Sequence, residues 1–325
     1  MNLRIATFNL ENLDDGPNVR PALASRIQIM GPQLERIRAD VLCLQEVHSQ
    51  GASNSRTLSA LDELLVGTDY AGFYRETIVT TTGKLYGERN IVTLSRFPIL
   101  ARQRVRASDG PRPSYQMATA DPPDTTAEPV DWERPMLYTQ LEVEAGTILH
   151  VVNVHFKSKI PSSIPGQKLD RYTWRSISAW AEGSFISVMK RVGQALQARM
   201  LIDDILASEG ADSLIAICGD LNAQADEVPM RAICGHVEET GNPEHTLSLM
   251  VPCENNIPES ARYSLLHLGH GKMLDHIIVS RALLTYLRGA KVHNEALVDE
   301  SGAFRGDVKF PESDHAPVVA EFELA

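Results

Sequence analysis

The sequence predicts an α/β fold in which strands and helices alternate along the chain. Residues 4–10 alternate apolar and polar side chains, as a half-buried strand does, whereas residues 23–38 carry apolar side chains at helical spacing. The short apolar run of residues 40–44 has the length of a buried strand. The chain therefore opens with a strand, a helix and a second strand.

Later segments continue this alternation. Helical patterns cover residues 58–65 and 174–207, with a break expected at Gly183. Strand patterns cover residues 90–100, 137–144, 146–156, 214–218, 274–279 and 316–322. Residues 108–129 are rich in proline and predict a long surface loop. Because no disordered linker divides the chain, residues 1–325 are expected to form a single domain.

Composition excludes several classes of protein. With 43% apolar residues the chain is not disordered, and it lacks the run of roughly 18 apolar residues that an integral membrane protein needs. The 31 Lys and Arg against 42 Asp and Glu give a net charge of −11, which argues against a protein that coats nucleic acid through a broad basic field. Four cysteines without CxxC spacing, and an N-terminus without a secretory signal, predict a cytoplasmic protein. Its oligomeric state stays open, with a monomer plausible.

Chemically capable side chains follow apolar strands at several separated places. They are Asn9, Glu46, His155, the pair Asp220 and Asn222, Asp275, and the pair Asp314 and His315. The most specific pattern follows the strand of residues 214–218, where an acid able to align a water and an amide able to bind phosphate lie two residues apart. Across two further strands, Asp275 is placed to orient His315, as an acid orients a general base.

These segments together resemble the endonuclease/exonuclease/phosphatase superfamily, which contains deoxyribonuclease I, exonuclease III, apurinic endonucleases, neutral sphingomyelinases and inositol polyphosphate phosphatases. The resemblance runs from Phe8 to Val318 in the family's order, and residues 219–223 and 313–317 carry its specific motifs. Residues 155–159 resemble the bacterial nuclease-like branch. The resemblance implies two mixed β-sheets packed as a sandwich, with helices on both outer faces and the active site at one end.

The resemblance also implies a role for each matched residue. The implied metal ligands are Glu46, Asn9 and Asp314, and the implied catalytic residues are His155, Asp220, Asn222, Asp275 and His315. Asn90 matches an asparagine placed before a strand and is expected to contact substrate. Carboxylate and amide oxygens select Mg²⁺ or Mn²⁺, with Ca²⁺ as a further candidate, over zinc, which prefers Cys and His.

The substrate is the least determined property. Arg102, Arg104 and Arg106 fall on one face of a strand and could track a phosphate backbone, which favours a nuclease acting on DNA or RNA. The alternatives are a lipid headgroup, an inositol phosphate or a small diester. Trp180 and Phe185 have the helical spacing of core residues, which argues against a lipid-binding surface. An inactive binding protein is disfavoured, because it has no physical need for the complete set of catalytic side chains.

Overall fold

Two six-stranded β-sheets lie face to face in the computed structural model, which describes residues 1–110, 112–132, 134–302 and 309–324. In spatial order, the first sheet contains β15 (Leu287–Val292), β16 (Val318–Glu323), β1 (Asn2–Leu13), β2 (Val41–Val47), β4 (Asn90–Ser95) and β3 (Tyr74–Thr77). The second contains β11 (Met250–Pro252), β14 (Asp275–Ser280), β10 (Leu214–Asp220), β9 (Thr147–His155), β8 (Met136–Glu144) and β5 (Ile99–Val105). Each sheet is mixed, because β1 pairs parallel with β2, and β9 parallel with β10, among antiparallel neighbours.

Helices and short hairpins complete the described fold. The helices are α1 (Leu23–Ile37), α2 (Ser59–Leu65), α3 (Ile177–Glu209), α4 (Val228–Cys234), α5 (Val237–Thr240) and α6 (Arg281–Leu284). The hairpins pair β6 (Ser114–Tyr115) with β7 (Glu128–Pro129) and β12 (Leu265–His267) with β13 (His270–Lys272). No helix of the described residues is both long and apolar enough to cross a lipid bilayer.

Side-chain alternation along the strands builds the layers. Leu3 and Ile5 of β1 enter the layer between the sheets, while Ala6 and Phe8 of the same strand pack toward α1 and α2. The second sheet repeats this arrangement, with one face toward the first sheet and the other against α3 and α4. The predicted sandwich with helices on both outer faces is therefore confirmed.

The long helix α3 differs from its prediction in two ways. The helix continues through Gly183. A side chain at this residue would come within 2.4 Å of the Ser162 carbonyl oxygen, so the glycine allows a neighbouring segment to pack closely and does not break the helix. The prediction that Trp180 and Phe185 lie in the core is wrong, since these side chains are 48% and 49% exposed. The segment before α3 approaches only one side of the helix and leaves both rings in contact with solvent.

The described residues of the proline-rich segment, 108–110 and 112–129, lie mostly on the surface as predicted, and α3 anchors residues 115–119. Both carboxylate oxygens of Glu182 accept hydrogen bonds from this segment, from the Tyr115 hydroxyl at 2.9 Å, from the Thr119 amide at 2.9 Å and from Ala118. A carboxylate with several donors is stabilised in its charged form, which fits the lowered pKa of Glu182: burial opposes the charge, but these hydrogen bonds outweigh it.

A buried polar network joins the two sheets above their apolar core. The Gln45 amide nitrogen on β2 donates to the Asn153 oxygen on β9 at 2.9 Å, and also contacts the Thr7 hydroxyl at 3.1 Å. The Asn153 amide nitrogen donates in return to the Val92 carbonyl oxygen on β4 at 2.9 Å. All these side chains are fully buried, so each polar group depends on its partner in the opposite sheet.

We expect Asn153→Leu to lower the free energy of unfolding by about 2 to 4 kcal/mol, because it removes the partner that the buried Gln45 amide and the buried Val92 carbonyl each have in the opposite sheet. Urea unfolding followed by circular dichroism measures the change. Asn256→Leu at an exposed position is the control, with an expected change within about 0.5 kcal/mol. Equal stability of the Asn153 variant and the wild type would contradict a role for the network.

Candidate active site

Sheet topology brings the predicted site residues to one end of the sandwich. The parallel pairs β1 with β2 and β9 with β10 all end there, and the antiparallel strands β14 and β16 begin there. Within the second sheet, Asp220 is the register partner of both His155 and Asp275. The first sheet reaches this group through Asn9, whose amide nitrogen donates to Asp220 Oδ2 at 3.1 Å.

Asp220 lies at the centre of this cluster. Its Oδ1 accepts the Asn222 backbone amide at 2.9 Å, and its Oδ2 accepts the Asn222 side-chain amide at 3.0 Å. Burial, reinforced by the neighbouring charge of Asp275, raises the pKa of Asp220 to about 7. The strand requires a glycine just before Asp220, since a side chain at Gly219, whose φ is 149°, would come within 1.9 Å of the Val154 carbonyl oxygen.

Asp275 and His315 form the predicted pair. His315 Nδ1 lies 2.6 Å from Asp275 Oδ2, and ligand atoms of Asp220, Asp275 and His315 all lie within 4.8 Å of one another. Burial lowers the pKa of His315, but the Asp275 carboxylate and its hydrogen bond outweigh burial and hold this pKa well above its ordinary value. The imidazole is therefore positively charged at neutral pH.

His155 lies between carboxylates of the two sheets. Its Nε2 is 3.4 Å from Glu46 Oε1 and 3.4 Å from Asp220 Oδ2. Burial, together with the charges of Arg134 and His315, lowers the pKa of His155 well below its ordinary value, so the imidazole is neutral. With two carboxylates beside Nε2, that nitrogen carries the proton.

Glu46 reaches the cleft through an irregularity in β2. The pairing of β2 with β4 shifts register between Leu44 and Val47, and Glu46 adopts a left-handed φ of 59°. Regular alternation would turn this side chain toward the helices, as it does Leu44. The bulge instead places Glu46 Oε2 where it accepts the Asn12 amide at 3.0 Å.

A second acidic group lies beside Glu46. Glu11 Oε2 accepts the Asp314 backbone amide at 3.1 Å, and Ser313 Oγ donates to the Asn9 carbonyl oxygen at 2.7 Å. Burial and the charge of Asp314 raise the pKa of Glu11 to about 7, and burial with the charge of Glu46 raises that of Asp314 to about 6. Glu11 is not among the site residues predicted from the sequence.

This group fits a hard divalent cation. Glu46 and Asp314 supply carboxylate oxygens, and Asp314 Oδ1 is buried without a hydrogen-bond partner among the described residues. Buried carboxylates that lie side by side are stabilised by a cation between them, and oxygen donors suit Mg²⁺, Mn²⁺ or Ca²⁺. Asn9 already uses its amide nitrogen on Asp220 and accepts the Glu11 amide at 3.0 Å, so it positions these acids as well as offering an oxygen.

Four predicted substrate contacts lie outside this cluster. Asn90 is fully buried and donates to the carbonyl oxygens of Val47 and Tyr86, at 3.0 and 2.9 Å, so its amide nitrogen is occupied by backbone. Arg102, Arg104 and Arg106 lie on or next to β5, three strand spacings or roughly 14 Å from β10. Arg102 pairs with Glu76 on the edge of the other sheet. None of the four lines the cleft.

The cleft above the acids has a volume of about 600 Å³ and a basic rim that sequence reasoning missed. The rim cations are Arg89, Arg134, Lys159, Arg171, Lys272 and Lys309. Arg134 donates to the Phe156 carbonyl oxygen at 3.0 Å, the same atom that accepts the Asn222 amide at 3.2 Å. The local charge of the sequence could have indicated part of this rim, because residues 157–191, which include Lys159 and Arg171, hold seven Lys and Arg but only two Asp and Glu.

A buried charged pair supports the cluster from behind. His276 follows Asp275 on β14 and points to the opposite face, where Nδ1 contacts Glu254 Oε1 and Nε2 lies 2.8 Å from the Ala223 carbonyl oxygen. Both nitrogens face acceptors, so the imidazole is charged; burial opposes this, but Glu254 outweighs burial and raises the pKa of His276. The pair holds Ala223, and thereby the turn that carries Asn222.

We expect Glu254→Gln to lower the free energy of unfolding by about 3 kcal/mol, because it leaves a buried imidazolium without its counter-charge. A histidine whose pKa is raised by folding contributes stability below its unfolded pKa, so the loss should be largest below pH ~6.5 and shrink at higher pH. Urea unfolding at several pH values measures it, with exposed Glu259→Gln as the control. A loss independent of pH would argue against the charged pair.

Comparison with known proteins places this geometry in a family. A sequence model of the Endonuclease/Exonuclease/phosphatase family matches residues 6–315, whereas no curated protein matches the chain. Truncated TDP2 from Caenorhabditis elegans is a structural neighbour, with 14% identity over 99% of this chain and 98% of that chain and a TM-score of 0.59. An AP endonuclease from Archaeoglobus fulgidus has 16% identity, coverage of 99% and 100%, and a TM-score of 0.56. An endonuclease/exonuclease/phosphatase from Bacteroides vulgatus has 18% identity, coverage of 100% of both chains, and a TM-score of 0.58. These likenesses show the shared fold, and the sequence match over nearly the whole chain shows that the protein belongs to the Endonuclease/Exonuclease/phosphatase family.

Proposed function

We propose that the protein is a metal-dependent phosphodiester hydrolase that cleaves DNA or RNA. The observation that carries this proposal is the grouping of Asp220 with the Asp275 and His315 pair, within 4.8 Å, in a cleft with a basic rim. Hydrolysis of a phosphodiester needs a held water, a charge-stabilised phosphoryl group and a stabilised leaving oxygen. The site offers a side chain for each requirement.

Asp220 accepts the proton of the attacking water. Its pKa of about 7 suits a base at neutral pH, and the amides of Asn9 and Asn222 fix its orientation. His315, held positive by Asp275, donates from Nε2 to a phosphoryl oxygen and stabilises negative charge there. The charged state of His315 thus assigns the general-base role to Asp220 and leaves the histidine as an electrostatic partner.

Two further side chains handle the phosphate and the leaving group. Asn222 donates a hydrogen bond to the phosphate, and neutral His155 donates a hydrogen bond from Nε2 to the leaving oxygen and stabilises its negative charge. Glu46 and Asp314 would hold a divalent cation that neutralises charge on the phosphoryl oxygens. Glu11 braces this pair by accepting the Asp314 amide at 3.1 Å.

A phospholipid headgroup is the second candidate substrate. Ile177 and Trp180, at the start of α3, are 83% and 48% exposed, and Ile160 in the cleft wall is 66% exposed. Exposed apolar side chains near basic residues are the combination that binds lipid interfaces. Nucleic acid is favoured because the rim cations are distributed around the cleft itself.

We expect Asp220→Asn and His315→Ala each to lower hydrolysis by a factor of about 10³ without loss of fold, because each removes a group acting in the transition state. Turnover should be measured on plasmid DNA, single-stranded DNA, RNA, sphingomyelin, inositol phosphates and a chromogenic diester. Exposed Asp226→Asn and His270→Ala are the matched controls. Wild-type turnover in both variants would refute the site, and turnover of lipid without polynucleotide would replace the nuclease by the second candidate.

We expect the affinity for Mn²⁺ to fall as the pH drops from 8 to 5.5. Glu11 and Asp314 have pKa values raised to about 7 and about 6, so protons compete with the cation in this range, by about tenfold per pH unit for each proton displaced. Titration calorimetry measures the affinity at each pH. Asp314→Asn should weaken binding and flatten its pH dependence, whereas Asp226→Asn should match the wild type. Binding that does not vary with pH would contradict this cation site.

A further inference from the structure

A small hairpin projects an exposed aromatic ring into the cleft. Lys168 and Trp174 form a bridge, and within the turn the Leu169 amide donates to the Thr173 carbonyl oxygen at 2.9 Å. Asp170 Oδ1 accepts the backbone amides of Tyr172 and Thr173, at 2.8 and 2.9 Å. We call residues 168–174 the tip hairpin. Its hydrogen bonds hold the backbone of Tyr172, whose side chain lines the cleft and is 67% exposed.

The tip hairpin is braced from behind. The Asp121 amide donates to the Pro165 carbonyl oxygen at 3.0 Å, and Gly166 packs so closely that a side chain there would come within 2.1 Å of the Asp121 carbonyl oxygen. Residues 108–129, which include Asp121, are themselves fastened to α3 through Glu182. The proline-rich segment thereby supports the hairpin that faces the cleft.

Charge around the tip hairpin has the opposite sign to the rest of the protein. Residues 157–191 carry a net charge of +5, whereas the other 290 residues, with 24 Lys and Arg against 40 Asp and Glu, carry −16. The Arg171 guanidinium lies 5.3 Å from the centre of the Tyr172 ring, and the Lys168 ammonium lies 4.7 Å from that of Trp174. Cations and aromatic faces thus alternate along the hairpin.

We propose that Tyr172 is a stacking site for an unpaired nucleobase next to the phosphate being cleaved. This inference rests on the proposed nuclease function and names single-stranded or unpaired polynucleotide as its preferred substrate. Single-stranded nucleic acids are bound by grooves that combine cations for the phosphates with aromatic rings for the bases. A duplex offers no free base face to a ring at this position, because its bases are stacked on one another.

The geometry favours a nucleobase over other ligands that could contact Tyr172. Binding through this hairpin costs little backbone entropy, since the amides of Tyr172 and Thr173 are already hydrogen-bonded to Asp170. A second copy of the chain is disfavoured, because a symmetric contact would bring two surfaces of charge +5 together. A membrane surface is the remaining alternative ligand, and the experiment below distinguishes it from a nucleobase.

The test compares binding of oligothymidylate with binding of an abasic oligonucleotide of equal length, by fluorescence anisotropy with Mn²⁺ present. All variants carry His315→Ala to suppress cleavage. Tyr172→Ala should weaken binding of oligothymidylate about tenfold, which is ~1.4 kcal/mol, and change binding of the abasic strand less than about twofold. The dependence of affinity on salt should stay the same, because no phosphate contact is lost.

Two matched variants and a vesicle assay complete the design. Tyr172→Phe keeps the ring and should bind like the parent, and Tyr74→Ala removes a 54% exposed tyrosine outside the cleft and should have no effect. Equal losses on both oligonucleotides, or no loss on either, would overturn the stacking site. Binding to phosphatidylserine vesicles that depends on Tyr172, without binding to oligothymidylate, would assign the hairpin to membranes.

Failure of the stacking site and failure of the proposed function give different results. If the wild type cleaves polynucleotides but Tyr172→Ala binds oligothymidylate normally, only the stacking site is overturned. If the wild type cleaves a chromogenic diester and no polynucleotide, the nuclease proposal itself is overturned and the stacking site with it.

Discussion

The hydrogen bond between Gln45 and Asn153 is the constraint on which the cleft depends. It fixes the first sheet against the second at the level where the apolar layer ends, and Glu46 follows Gln45 directly while His155 lies two residues beyond Asn153. Along β1, β9 and β10 the inward face changes from aliphatic to polar and then to chemically reactive residues. A slip of one sheet over the other would separate Glu46 from Asp220, so the register of the sandwich and the geometry of the site are one property.

Charge is arranged in two zones within the cleft. Carboxylates such as Asp220 and Asp314 form its floor, where burial raises the pKa of both, and Lys and Arg side chains form its rim. This arrangement resolves the apparent conflict between a net charge of −11 and a phosphate substrate. The acidic floor suits a cation, and the basic rim suits the phosphates on either side of it.

Periodicity predicted the main strands and helices well, because burial on one or both faces leaves a clear signal in the sequence. Short motifs also identified Asp220, Asp275 and His315, which the structure brings together. The sequence indicated neither the bulge at Glu46 nor the ion pair of Glu254. The partner of Glu254 in that pair, His276, lies 22 residues further along the chain. Arg102 shows the opposite error: its period-two spacing was correct, but spacing along a strand does not say where that strand lies in its sheet.

The hydrogen bond between Ser313 Oγ and the Asn9 carbonyl oxygen joins residues 304 positions apart, and this separation affects when the site can form during synthesis. A chain emerging from the ribosome exposes Asn9 and Glu46 well before His315, which follows Glu46 by 269 residues. Incomplete chains therefore hold acidic fragments of the cleft with no imidazole opposite Asp275. Chemical competence therefore requires the pairing of β16 with β1, which brings Asp314 and His315 to the cleft.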